Sequence, residues 1–189
     1  MKRLRAVAAG IAALAVVGCG GSPRERYYAL AAPVPTAGAA APAIAVGPVS
    51  VPEMVDRPRI VVQAAGSEVT MYEYDRWASP LKGEIARVIA ANLAAELGTA
   101  RVWSSTQITL PGADYQVLVD IQRFDSALGE AATIDALWVV RRSSGGASKA
   151  GRTSVREPAA GAGLDALIAA HSRALARVSR DIAGAIRTL

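Results

Sequence analysis

The last twenty-six residues carry the chain's most restrictive pattern. Leu164, Ile168, His171, Leu175, Val178, Ile182, Ala185 and Leu189 recur at alternating steps of four and three. That is the period of an α-helix with a single apolar stripe, so a helix from about Leu164 to Thr188 must lie against something. Arg173, Arg177, Arg180 and Arg187 form a basic stripe on the same helix, partly balanced by Asp181. Such a stripe is ordinarily a solvated face. Its functional alternative is contact with anionic head groups or an acidic partner.

The partner of that helix is a sheet. Tyr115 to Phe124 alternates Tyr115, Val117, Val119 and Ile121 against Gln116, Asp120 and Gln122, the period-two signature of a half-buried strand. Ala131 to Arg142 repeats it with Ile134, Ala136, Trp138 and Val140 facing inward, Ser143 to Gly146 turns the chain, and Ala147 to Val155 returns as an antiparallel meander. Upstream, Tyr27 to Leu30, Ile44 to Val51, Ile60 to Gln63, Glu68 to Tyr74 and Arg101 to Trp103 read as shorter strands. Pro48 places an edge or a bend in the second of these. A further helix is signalled by Ser79 as N-cap, Pro80 at the first helical position, an apolar series from Leu81 to Leu97, and Gly98 as terminator. Strands, helix, strands, helix predict an α+β sandwich: one domain, with a mainly antiparallel sheet and two helices on one face.

The N-terminus has a different character. Lys2, Arg3 and Arg5 precede an uncharged apolar run from Ala6 to Val17. This is an export signal, too short to span a bilayer as a helix, which needs roughly 20 apolar residues. It ends Val16-Val17-Gly18-Cys19, a bacterial lipobox pattern with cleavage after Gly18 and lipidation of Cys19. Gly20 follows where lipoproteins kept at the inner membrane commonly carry Asp, which points to the outer membrane, facing the periplasm. The chain divides into a signal peptide at 1–18, a lipidated tether with an Ala/Pro-rich stretch at 19–43, and a domain at 44–189. The net charge of +5 is largely the signal. Removing three basic residues and no acidic one leaves +2, which takes away the case for nucleic-acid binding.

Chemistry-bearing patterns are sparse. One cysteine and one histidine exclude internal disulfides and thiolate zinc clusters. Nucleophile-elbow, Walker, dinucleotide and zincin motifs are missing from the sequence, so no catalytic residue, metal or cofactor is expected. His171 on the apolar stripe reads as a packing histidine. Asp114 and Asp125 read as turn residues, and Asp120 as a partner for a cross-strand Arg or Lys. Trp77, Trp103 and Trp138 read as core anchors, with a lipid cavity as the alternative.

Several segments in order resemble one family. They are the lipobox, Tyr27-Tyr28-x-Leu30, Val46-Gly47-Pro48-Val49 before Val51-Pro52, Asp56-Arg57-Pro58-x-Ile60-Val61, Arg76-Trp77-Ala78-x-Pro80-Leu81, and Tyr115-x-Val117-x-Val119-Asp120-Ile121-x-Arg123-Phe124. Together they look like the ABC-type transport auxiliary lipoproteins, also called PqiC-type accessory lipoproteins. The resemblance implies a non-catalytic subunit that works with MCE-domain proteins and with an ABC permease and ATPase moving lipid between membranes, docking their conduit at the outer membrane. Some members form rings, so a homo-oligomeric ring is within what it implies. It assigns Asp56-Arg57-Pro58 to a rigid turn, with Arg57 paired, and Trp77, Pro80 and Leu81 to a helix-start anchor. A structural envelope lipoprotein assisting outer-membrane or lipopolysaccharide assembly is the alternative, since the same sandwich would serve it.

Overall fold

A computed structural model describes residues 23–34, 42–63, 67–105 and 112–189. The signal segment, Gly18, Cys19 and most of the Ala/Pro-rich stretch lie outside the described residues. The strands are β1 (Arg26–Tyr28), β2 (Ile44–Ser50), β3 (Arg59–Gln63), β4 (Val69–Trp77), β5 (Val102–Ser104), β6 (Tyr115–Ala127), β7 (Ala131–Arg142) and β8 (Ser148–Pro158). The helices are α1 (Leu81–Leu97), between β4 and β5, and α2 (Leu164–Arg187), after β8.

The eight strands form one sheet. β7 covers one edge of β6 over its whole length and continues into β8, both antiparallel, as the meander pattern requires. The other edge of β6 is shared. β2 runs beside Tyr115–Asp120, and β3 meets it at Ala127, so β2 and β3 follow one another along a single long strand. Beyond them β5 adds to β2, β4 to β3 and β1 to β4.

The sheet is mixed, which corrects the expectation of a mainly antiparallel one. Among the described strands, β1–β4, β2–β5, β2–β6 and β3–β6 pair in parallel, against three antiparallel pairings. Alternation reports which face of a strand is buried. It does not report the neighbour, and a parallel neighbour is reached only through a long connection such as α1. Of the two readings of Pro48, an edge or a bend, the structure has the irregularity and not the edge, since β2 lies between β6 and β5. Pro48 falls where the β2–β6 register shifts between Val46 and Val49, so its missing N–H costs no regular ladder bond. Gly47 before it has φ 126°, and a Cβ there would sit 1.9 Å from the Ser105 carbonyl oxygen, a position only glycine fills.

Both helices pack on one face and touch each other, α1 over β2 and β5 and α2 over β6, β7 and β8. Every residue of the α2 stripe from Leu164 to Ala185 is buried. Gly98 ends α1 in the left-handed conformation (φ 64°, ψ 35°), its N–H bonded to the Ala94 carbonyl, as its sequence position indicated. Ser79 is not the cap. Pro80 occupies the N-cap position without a side-chain hydrogen bond, and its carbonyl accepts the Glu84 N–H at 3.1 Å. The basic stripe of α2 is paired: Arg173 and Arg177 with Glu157, Arg180 and Arg187 with Glu96.

Candidate functional site

The two motif segments nearest the start of α1 meet. Between β2 and β3, residues 52–58 make a tight turn, with the Val55 and Asp56 N–H groups bonded to the Pro52 carbonyl at 3.0 and 3.2 Å and the Arg57 N–H to the Val55 carbonyl at 2.8 Å. Val55 is 5% exposed and plugs the turn into the core. Arg57 precedes a proline, which disfavours helical backbone and lets the chain run out into β3. The turn then bonds to the other segment: the Trp77 N–H donates to the Pro58 carbonyl at 2.8 Å, and the next N–H, of Ala78, donates to the Tyr28 carbonyl at 2.8 Å.

This junction frames an open, mainly apolar cleft of about 290 Å³ lined by Asp56, Arg57, Pro58 and the run Trp77 to Leu81. All six motif residues singled out in the sequence, Asp56, Arg57, Pro58, Trp77, Pro80 and Leu81, therefore line one feature. Leu81 is fully buried beneath it. Trp77 meets Phe124 edge-on at 6.2 Å, and Phe124 stacks on His171 at 4.0 Å, so the floor of the cleft is continuous with the core under α2. At the rim Asp56 pairs with Lys82 at 2.6 Å, both side chains part-exposed. An ion pair of that exposure contributes little to stability but marks the rim with both signs of charge.

Arg57 is paired, though not with a carboxylate. Its guanidinium donates to Met71 Sδ at 3.3 Å and to the Glu53 carbonyl at 3.4 Å, while Nε is buried without a partner among the described residues. The Arg57 charge is thus held over the turn by weak acceptors.

The remaining chemistry-bearing residues are structural in their contacts. His171 is enclosed, with Nε2 2.8 Å from Ser126 Oγ, and burial lowers its pKa from 6.5 to about 3. Ser126 was not visible as its partner in the sequence, since the two sit on different elements. Asp114, at the bend before β6, accepts the N–H of the distant Ala43 at 2.7 Å and so ties the start of β2 to the start of β6. Asp120 does not meet a cross-strand cation. It accepts from Ser50 and from Gln122, because β2 rather than a basic strand lies beside it. Asp125 lies within β6 rather than in a turn and pairs with Arg123. Trp77 and Trp138 are buried at 6% and 8% exposure, and Trp103 on β5 is half-buried. Among the described residues no group of three or more His, Cys, Asp or Glu side chains converges, and no helix is long and apolar enough to cross a membrane.

No curated protein matches the chain. Among solved structures, one described as a crystal structure of an uncharacterized protein superposes with TM-score 0.70 at 20% identity, covering 87% of this chain and 99% of that one. A Xanthomonas campestris protein of the DUF330 family superposes with TM-score 0.63 at 23% identity, covering 84% and 93%. At such identities these likenesses speak for the fold alone. The model of the family described as "ABC-type transport auxiliary lipoprotein component" matches residues 28–183, a span that contains the cleft, all of α1, α2 up to its last turn, and the sheet apart from the first two residues of β1. The chain belongs to the ABC-type transport auxiliary lipoprotein family.

Proposed function

We propose that the chain is a lipid-anchored, non-catalytic accessory subunit of an MCE/ABC-type intermembrane lipid transport system. In this reading cleavage after Gly18 exposes Cys19, and its acyl chains hold the domain on the outer membrane, facing the periplasm. Two or three chains suffice for stable anchoring, since each buried CH₂ contributes about 0.8 kcal/mol. The domain docks the conduit formed by an MCE-domain protein, whose substrate the ABC permease and ATPase move, and it does so as a homo-oligomeric ring. Membership of a family described as an auxiliary component of transport supports this reading.

The observation that carries the docking role is the cleft. Two segments about twenty residues apart build one apolar, charge-rimmed concavity at the surface. Its lining contains Ser79, but its one carboxylate, Asp56, is engaged by Lys82 at 2.6 Å, and the imidazole of His171 is enclosed elsewhere with Nε2 already engaged. Such a concavity suits an inserted side chain or segment of a partner better than a reacting substrate.

A photocrosslinking residue placed at Ser79 tests it in cells. The expected adduct is with an MCE-domain protein, while the same group at Ser144, in the β7–β8 turn, gives none. An adduct at Ser79 with an outer-membrane or lipopolysaccharide assembly component would replace this reading with the structural envelope one. Cys19→Ser is expected to move the protein from the outer-membrane fraction to the soluble periplasm, and fractionation of the wild type with inner membranes would overturn the outer-membrane assignment. The mass of the detergent-extracted protein tests the ring.

A further inference from the structure

Four of the chain's five tyrosines, Tyr27, Tyr28, Tyr72 and Tyr74, lie on β1 and β4. Tyr28 turns inward and donates to Asp75 at 3.1 Å. Tyr27, however, is 61% exposed and Tyr74 38%, and Val69 and Met71 on the same strand pair are 37% and 44% exposed. Half of the large exposed hydrophobic residues among those described thus belong to one edge of the sheet.

That edge is also where the chain departs toward Cys19. Glu25 is only the sixth residue after Cys19, and it is tied to the edge through Arg76 at 2.8 Å. Six residues span at most about 20 Å. The pairings give the direction of departure. β1 is parallel to β4, β4 antiparallel to β3, and β3 parallel to β6. The N-terminus of β1 therefore points to the end of the sheet where Gln63, Val69 and Ala127 meet. The β7–β8 turn lies at the other end of β6, about 40 Å away at roughly 3.3 Å per residue.

We propose that this β1–β4 edge rests on the lipid head-group layer, with Tyr27 and Tyr74 as interfacial anchors that set the domain's orientation on the membrane. The proposal rests on the reading of Cys19 as the lipidated residue. Tyrosine suits that layer because its ring partitions into the acyl boundary while its hydroxyl stays hydrated. The edge carries no excess of basic charge, since Arg24, Arg26 and Arg76 are matched by Glu25, Glu68, Glu73 and Asp75. The contact is therefore one of ring and aliphatic atoms with the interface, not of cations with anionic lipid, and it persists at high salt. A surface with weak affinity of its own is enough, because a short tether holds it at an effective concentration in the millimolar range.

The test uses lipidated full-length protein on vesicles of phosphatidylethanolamine with a minority of phosphatidylglycerol. With Cys19 acylated, Glu73→Cys or Ser144→Cys supplies the only free thiol for a nitroxide label. Power saturation then compares collisions with oxygen and with a water-soluble nickel chelate. The label at position 73 is expected to lose most of its nickel collisions relative to the label at 144, at low and high salt alike. Adding Tyr27→Ser and Tyr74→Ser is expected to abolish that difference while the protein still floats with the vesicles. Equal nickel access at 73 and 144 in floating protein would overturn the proposal, leave the edge open to a protein partner, and spare the lipidation reading. Protein that does not float, behaving as Cys19→Ser does, would overturn the lipidation reading and this proposal with it.

Discussion

His171 shows how much a single side chain can decide in this core. It is 1% exposed, stacked on Phe124 with the rings 3° from parallel, and its Nδ1 has no partner among the described residues. The least costly arrangement has Nε2–H donating to Ser126 Oγ, which leaves only a bare lone pair at Nδ1 rather than an orphaned N–H. A proton added to this ring would be buried without a counter-charge, which is why burial lowers its pKa to about 3. The unfolded chain binds that proton near the ordinary value of 6.5. The stability contributed by keeping the ring neutral is therefore fully present above about pH 6.5 and is lost as the pH falls toward 3. At pH 5 the loss amounts to about 2 kcal/mol. His171→Phe removes the titration and leaves the Ser126 hydroxyl unpaired, at a cost of about 1–3 kcal/mol. It is expected to be less stable than wild type at pH 7, with the gap closing or reversing by pH 5. Urea unfolding of both proteins at the two pH values measures this, and parallel pH profiles would refute it. At this scale the sequence was partly legible. Helical spacing placed His171 on the buried stripe, and the two motif segments named every residue singled out for the cleft. The Ser126 partner and the meeting of those segments depend on contacts between distant elements, which spacing does not encode.

At the scale of elements the periodicities carried furthest. Both helices, the meander and the Gly98 stop stand within a few residues of where the pattern put them, because burial on one face imposes a period that survives in the sequence. Strand direction was not legible, since β2 and β3 share one edge of β6 and only the folded chain shows it. The β7–β8 pair adds a packing constraint equally hidden in composition. Gly151 lies opposite Trp138, and a Cβ there would come within 2.2 Å of the indole ring. The indole is also fixed from its polar side, with Nε1 donating to Thr153 Oγ1 at 3.1 Å and Thr153 donating to Asp181 of α2 at 2.6 Å. The ring cannot move aside without breaking a chain of bonds that joins the sheet to α2. Gly151→Ala is therefore expected to destabilise by about 1–3 kcal/mol, the range for overpacking. Adding Trp138→Leu makes room for the methyl, so the double variant is expected to lose less than the sum of the two single losses. Thermal melts of the four proteins measure the coupling, and strict additivity would show that the indole does not oppose the methyl.

Over the whole molecule, the route from the tether to the cleft is short and rigid. After β1 the chain buries Leu30, 2% exposed, against the start of α1. Glu84 accepts the Leu30 N–H at 3.2 Å, and Arg87 donates to the Leu30 carbonyl at 2.7 Å while pairing with Glu84 at 2.8 Å. Ala31 is bonded in turn to Ser172 of α2 at 2.9 Å. Both backbone groups of one residue are thus held by an ion pair on α1, and the Tyr28 carbonyl beside it is bonded to the cleft wall at Ala78. Composition marked this segment as a polar tether with a short strand. The clamp was not legible there, because its two halves lie more than fifty residues apart. If the cleft docks a partner above a membrane, as proposed, it needs such a link, since slack between anchor and cleft would spread the docking surface over many positions. Leu30→Ala removes the buried plug and is expected to cost about 2–5 kcal/mol. Part of that loss falls on the local opening of β1, an edge strand of three residues. Trypsin is then expected to cut the Arg26–Tyr27 bond faster in the variant than in wild type at a temperature where both remain folded. An unchanged cleavage rate, with the melting temperature lowered, would show that Leu30 supports the core without holding the tether to it.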